Sequence, residues 1–223
     1  MTMKHIKRMA VAAGLACVSV SSQANVVLSY SSDPDSLISF TSSGFSFVNT
    51  VTPGNPTFTV TSASGSSAIG DSVGDLGSIT GGPFVITSIS GNQGTVTGSG
   101  TLTIADGTGH NLTGSVSWST IGQIGTGNIL NLNGAINLRS IAYTGTKVDL
   151  KALANVTAGI QTVSFSFAGS MPSLAQLQAG PITDAFAGQI SSTSPVPEPS
   201  TVIAGALLLL PFGLSTVRIL RRH

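Results

Sequence analysis

Between residues 45 and 167 the chain repeatedly alternates an apolar side chain with Ser, Thr, Gly or Asn, and this period of two constrains the fold more than any other feature. It recurs in Phe45-Ser46-Phe47-Val48, Thr57-Phe58-Thr59-Val60-Thr61, Phe84 to Ile89, Thr95-Val96-Thr97, Thr101-Leu102-Thr103-Ile104, Leu112 to Trp118, Ile129 to Leu138 and Val163-Ser164-Phe165-Ser166-Phe167. Side chains two apart in an extended strand share a face, so each segment reads as a strand with one face buried. Turns such as Asn92-Gln93-Gly94 and Asp106-Gly107-Thr108-Gly109 separate them, and no long helical pattern intervenes. The expected fold is all-β: a single antiparallel β-sandwich or jelly-roll-like domain over residues 25–190.

The strongest local signal is a hairpin that pairs Thr95–Ala105 with Leu112–Ser119 around the loop Asp106 to His110. Its inward face is Val96, Leu102 and Ile104 opposite Leu112, Val116 and Trp118. One helix is expected near Ser173–Ala179, with Ser173 as N-cap and Gly180-Pro181 ending it. A second short helix is expected within 148–156, and the Ser/Gly-rich stretch 62–82 reads as a long loop.

Charge is scarce: 9 basic and 8 acidic residues in 223, or 8%, where an ordinary soluble domain carries about 25%. Six of the basic residues lie in the first eight or last six positions, so the body holds Arg139, Lys147 and Lys151 against seven Asp. No basic stripe crosses such a body, which excludes nucleic acid as a partner.

The two ends read as signals. Lys4, Lys7 and Arg8 precede the uncharged run Met9 to Val20, which has the length of a secretory h-region and is too short to span a bilayer. Ser22 and Ala24 stand at −3 and −1 of the bond before Asn25, so residues 1–24 are expected to pass the Sec translocon and to be cut by signal peptidase between Ala24 and Asn25. A lipoprotein alternative would use Cys17, but Gly14 stands three residues before it and the apolar run ahead of it is short. Cleavage removes the one cysteine of the chain and leaves a body without disulfides.

Residues 191–200 form a Ser/Pro-rich linker in which alternate prolines favour an extended backbone. Residues 201–217 are uncharged and, extended through Leu220 with Arg218 snorkelling, just long enough to span as a transmembrane helix. The basic tail 218–223, with Arg218, Arg221 and Arg222 stopping transfer, is expected in the cytoplasm. This order of proline-flanked Glu, apolar helix and arginines resembles the PEP-CTERM sorting signal over residues 195–223, with Val196, Pro197, Glu198 and Pro199 as the motif. The resemblance implies an exosortase-like membrane peptidase as partner in a Gram-negative bacterium that makes extracellular polysaccharide. It also implies transient anchoring in the inner membrane, followed by delivery to the cell surface or the extracellular space. A similar carboxyl terminus is attached to some ice-binding proteins.

The body offers little chemistry. Its single His, His110, and lack of Cys exclude a zinc site, and no Gly-x-Ser-x-Gly elbow supports a triad. Glycoside hydrolysis needs two placed carboxyl groups. Asp33 and Asp35 flank Pro34 in a turn, Asp71 and Asp75 lie in the Ser/Gly loop, and Asp149 sits between Lys147 and Lys151 as in a surface ion pair. Calcium suits clustered Asp best, although neither pair matches an EF-hand or a Gly-Asp repeat. Tyr30, Trp118 and Tyr143 are the aromatics on which a sugar ring could stack, with Trp118 assigned to the core by alternation. Thr-x-Thr pairs begin at 50, 57, 95, 101 and 144, with no fixed period. The expectation is an exported, non-enzymatic structural or matrix-associated protein without cofactor. A carbohydrate- or ice-binding module is the alternative, and a secreted hydrolase the remote one.

Overall fold

The computed structural model describes residues 26–52, 54–125, 127–156, 158–167 and 171–192. The expected cleavage site at Ala24 and Asn25, the motif Val196 to Pro199, the apolar segment 201–217 and Arg218, Arg221 and Arg222 lie outside the described residues. Among the described residues no helix is long and apolar enough to cross a membrane.

The elements are β1 (Val27–Ser32), β2 (Ser36–Thr41), β3 (Gly44–Asn49), β4 (Phe58–Ser64), β5 (Leu76–Gly81), β6 (Val85–Ser90), β7 (Gln93–Thr97), β8 (Ser99–Ala105), β9 (Asn111–Ser117), β10 (Thr120–Ile124), β11 (Gly127–Leu130), β12 (Leu138–Ala142), α1 (Val148–Ala154), β13 (Ala158–Phe165), α2 (Leu174–Ala179), β14 (Ile182–Asp184) and β15 (Phe186–Ser192). The all-β reading holds, but the sandwich does not. Strands β12, β9, β8, β5, β4, β1, β15 and β13 pair in that order, and β13 pairs with β12 again through Leu138↔Gly159 and Arg139↔Ala158, closing an eight-stranded antiparallel barrel. Alternation cannot tell the two apart, because a barrel and a sandwich both bury every second residue.

An eight-stranded barrel has an interior just wide enough to be filled by side chains. Tyr30 and Phe58 occupy it with ring centroids 4.4 Å apart, beside Leu28, Val60, Leu102, Ile104 and Ile190. Two inward positions are glycine for lack of room. A Cβ on Gly77 would enter the Phe58 ring, and one on Gly188 would enter Tyr30 and the Thr162 carbonyl.

Strand β13 forks the sheet. Its first residues close the barrel, whereas Val163–Phe165 pair with β11, which continues through β10 and β7 to β6. A separate sheet, β14-β2-β3, is joined to this wing by backbone hydrogen bonds of 2.8 Å each way between Phe45 and Phe84. Between them lies an aromatic cluster. Phe47 meets Phe186, Trp118 and Phe45, and Phe40 meets Phe45 and Phe165. Trp118 is thus core, as its alternation places it.

Local expectations fare well where the signal is local. The β8–β9 hairpin forms, and its loop uses Gly107 and Gly109 at φ 74 and 95, which glycine adopts without a Cβ penalty. The expected single strand 95–105 breaks at Gly98 instead, so β7 leaves the hairpin and pairs with β10. The expected strand 129–138 likewise splits, because Asn131 takes a left-handed turn at φ 57 between β11 and β12. Helix α2 begins on a capping box in which Ser173 and Gln176 exchange hydrogen bonds. The stretch 62–82 is loop only over 65–75, since β4 runs to Ser64 and β5 starts at Leu76.

Candidate functional site

Strand direction gathers three connections at one mouth of the barrel: 65–75, 106–110 and 143–147 with α1. Both ends of the described body are there too, Ser192 N donating to the Val26 carbonyl at 3.1 Å. The mouth contains most of the carboxylates. Asp149 belongs to α1, and its side chain is wholly buried rather than paired on the surface with Lys147 and Lys151. Positions two apart on a helix point to nearly opposite sides, so Asp149 turns inward while Lys151 stays in water. Its Oδ1 accepts from Ile69 N at 2.8 Å, and its Oδ2 from Ser72 N at 3.2 Å and Ser72 Oγ at 3.0 Å. Burial pushes this carboxyl up, but those donors outweigh it and hold the group below the ordinary range.

Asp71 caps α1 from outside the helix, accepting from Val148 N at 2.5 Å and Asp149 N at 3.1 Å. Asp75 is buried and ion-paired through Oδ1 with Lys147, while its Oδ2 has no partner. Burial raises its carboxyl, and Lys147 only partly opposes that. Asp106 Oδ1 accepts from Thr108 N at 2.7 Å and His110 N at 3.1 Å, and its Oδ2 from the Tyr143 hydroxyl at 2.8 Å. Burial works against this charge too, but the donors from Thr108, Tyr143 and His110 hold the carboxyl well below the usual range. Tyr143 OH accepts in turn from Lys147 N at 3.2 Å.

These groups form a clasp that ties three loops and a helix together, and its carboxylates face donors of the protein itself. Asp71 and Asp75, which suit Ca²⁺ in sequence, point at α1 and Lys147. Among the described residues no three His, Cys, Asp or Glu side chains are grouped to hold a metal. His110 is exposed, with Nδ1 3.3 Å from Thr144 Oγ1. Asp33 and Asp35 are apart from the clasp: Asp33 Oδ1 accepts from Thr59 Oγ1 at 2.5 Å, and the Asp35 carbonyl accepts from Thr50 N at 2.7 Å.

The second feature is on the barrel wall. Two adjoining hollows of about 580 and 460 Å³ share Ser31, Ile129, Ser164 and Ala187, from β1, β11, β13 and β15. Ser29, Thr61, Thr162 and Gln189 line the smaller one, and Ser32, Asn128, Phe165 and Phe186 are among those that line the larger. The lining carries no ionisable side chain except the phenol of Tyr30, which is buried in the barrel, donates to the Thr162 carbonyl at 3.2 Å and accepts from Gln161 Nε2 at 3.0 Å. Burial pushes that phenol far above its usual range, so it is neutral at any physiological pH.

Asn128 is wholly buried beside the larger hollow, and neither its carboxamide oxygen nor its nitrogen has a partner. A buried amide without hydrogen bonds is costly, and the few that proteins keep need an explanation. Sequence reasoning passed over Asn128, although the alternation of β11 places it on the inward face with Leu130. Of the three aromatics on which a sugar ring could stack, Tyr30 is buried, Trp118 is buried as its alternation places it, and Tyr143 is held by Asp106.

Comparison with known proteins returns no match: no family model, no curated protein and no solved structure matches this chain.

Proposed function

We propose that this chain is an exported cell-surface protein, delivered by the carboxyl-terminal sorting signal, whose barrel is a non-catalytic matrix component that holds an uncharged polysaccharide against its wall. The observation that carries the reading is the pair of adjoining hollows, lined by serine and threonine hydroxyls and the Gln189 amide among apolar side chains such as Ile129 and Ala187, with no charged group. Neutral hydroxyls and amides exchange hydrogen bonds with sugar hydroxyls and carry no charge that would prefer an ionic ligand. The clasp supports the non-catalytic part, since Asp71, Asp106 and Asp149 already accept internal donors on both oxygens and Asp75 is tied to Lys147, which leaves them poor general acids and bases.

Titration of the purified protein with neutral glucans and with uronic-acid polymers tests the wall. Binding is expected for the neutral class alone and should be nearly unchanged by salt, because no ion pair is screened. Ala187→Arg, at an exposed position shared by both hollows, should weaken it about tenfold or more by filling the site, a loss of roughly 1.4 kcal/mol. Equal binding by that variant, or preference for the acidic polymers, would refute this reading.

Sorting has its own test in the intact mass and cellular fraction of the protein from its host. The product is expected to begin at Asn25, to end near the proline motif and to lie outside the inner membrane. Glu198→Ala should be retained in that membrane at higher mass. A wild-type product that keeps Arg218 to His223 in the inner membrane would make the tail a plain anchor.

One observation favours the ice-binding alternative. On the outer wall, Ser78, Thr103 and Thr113 form one cross-strand row over β5, β8 and β9, and Thr80, Thr101 and Ser115 a second. Such rows repeat at roughly 4.8 Å across the strands and 7 Å along them. If this face binds ice, the purified protein inhibits recrystallisation and Thr101→Lys abolishes it. No inhibition by wild type removes this alternative.

A further inference from the structure

Individually exposed apolar side chains are ordinary on a protein surface, but a group of them on one pole is not. Ile69, Val73, Leu76 and Val148 are 68, 49, 45 and 42% exposed, and all belong to the mouth that carries the clasp. The carboxylates order the backbone that presents them. Asp149 holds Ile69 N, Asp71 holds Val148 N, and Gly74 N donates to the Val60 carbonyl at 2.8 Å. Asp75, Asp106 and Asp149 are buried beneath this surface and Asp71 is half-buried against the start of α1, while Lys151 of α1 is exposed.

The chain leaves the described body at the same mouth. Ser192 ends β15 next to Val26, and eight residues, 193–200, separate it from the uncharged run 201–217. At the fully extended limit of about 3.6 Å per residue, eight residues reach at most roughly 29 Å. A bilayer that holds 201–217 therefore keeps the Ser192 mouth close to its surface.

We infer that this mouth docks on the lipid surface, with Ile69, Val73 and Val148 entering the headgroup region and Lys151 facing anionic headgroups. The inference rests on the reading of 201–217 as a membrane segment and concerns the form that still carries it, before the sorting cut near the proline motif. Its consequence is an orientation: the paired ends of β10 and β11 at Ile124 and Gly127, next to the far end of β13, point away from the membrane, and the wall with its hollows stands upright between the two.

The test uses the chain from Asn25 to His223, which contains no native cysteine and lacks the apolar run Met9 to Val20. Single cysteines replace Val73, Val148 and, at the far end, exposed Ile124, and each carries an environment-sensitive fluorophore. The protein is reconstituted in phosphatidylcholine–phosphatidylglycerol vesicles with spin-labelled lipid. A side chain that enters the interface is seated about 5–10 Å into the headgroup boundary, so quenching at 73 and 148 is expected to exceed that at 124 by about threefold or more. Equal, water-like signals at all three sites in protein that floats with the vesicles overturn the docking and leave the anchor intact. Failure to float overturns the anchor reading and the docking with it. Protection at 73 and 148 without lipid quenching, accompanied by cross-links between copies, means that a second copy covers the mouth and overturns the lipid assignment.

Discussion

Asp149→Ala is expected to leave Ile69 N, Ser72 N and Ser72 Oγ without their acceptor inside the barrel mouth. An unsatisfied buried donor costs about 1–3 kcal/mol, so the expected loss is about 3 kcal/mol or more. For a chain of this size that corresponds to a melting temperature lower by roughly 6–12 °C. Asp149→Asn should fall between, because its oxygen can still accept one donor while its NH₂ opposes another. Thermal unfolding of the purified variants measures this, and a shift near zero for the alanine variant would mean that the clasp does not stabilise the fold.

The same residues set the acid limb. Asp149 and Asp106 have folded carboxyls below the ordinary range, so the unfolded chain takes up protons first as pH falls. The stability they contribute is present above about pH 4 and is lost as pH drops through their folded values. Asp75 has the opposite sign. Its raised carboxyl holds a proton in the fold more readily than in the unfolded chain, so acidification relieves rather than removes its contribution. Melting temperature should therefore fall below about pH 4 in wild type, and less steeply in Asp149→Asn. An acid limb as steep in that variant as in wild type would assign the loss to other groups.

The second large effect is expected from the barrel interior. Gly77→Val would place a side chain where the Phe58 ring stacks on Tyr30, and overpacking of this kind costs about 1–3 kcal/mol, more where no neighbour can yield. Phe58→Ala alone removes a wholly buried ring and should cost about 3–5 kcal/mol. Combined, the two should destabilise by less than their sum, because valine fills part of the space the ring vacates, with a coupling of about 1–3 kcal/mol. Urea unfolding of both singles and the double measures the coupling. Strict additivity would mean that Gly77 is glycine for some reason other than the ring above it.

Several parts of this site were readable in the chain and several were not. The loop Asp106 to His110 was legible because both flanking strands and the glycines at positive φ are neighbours in sequence. Asp149 was misleading for the same reason: Lys147 and Lys151 are its neighbours along the chain, but the partners it bonds are Ile69 and Ser72, some eighty residues away. The hydroxyl rows on β5, β8 and β9 have no period in sequence, because register aligns Thr80, Thr101 and Ser115, not spacing. Asn128 was visible only as a polar residue on an apolar face; its lack of a partner is a property of the packed interior.

By itself the sequence determined the local chemistry: strands of period two, their buried faces, the tight hairpin at Asp106, and the Ser173 N-cap that starts α2. Each follows from residues within a few positions of one another, where steric limits and backbone hydrogen bonding leave few choices. Tertiary structure alone decided that the sheet closes into a barrel. Closure depends on Leu138 and Arg139 meeting Gly159 and Ala158, and on Gly77 and Gly188 leaving room for two aromatic rings drawn from other strands. Contacts between residues so far apart are set by how the whole interior fills, which no local pattern encodes.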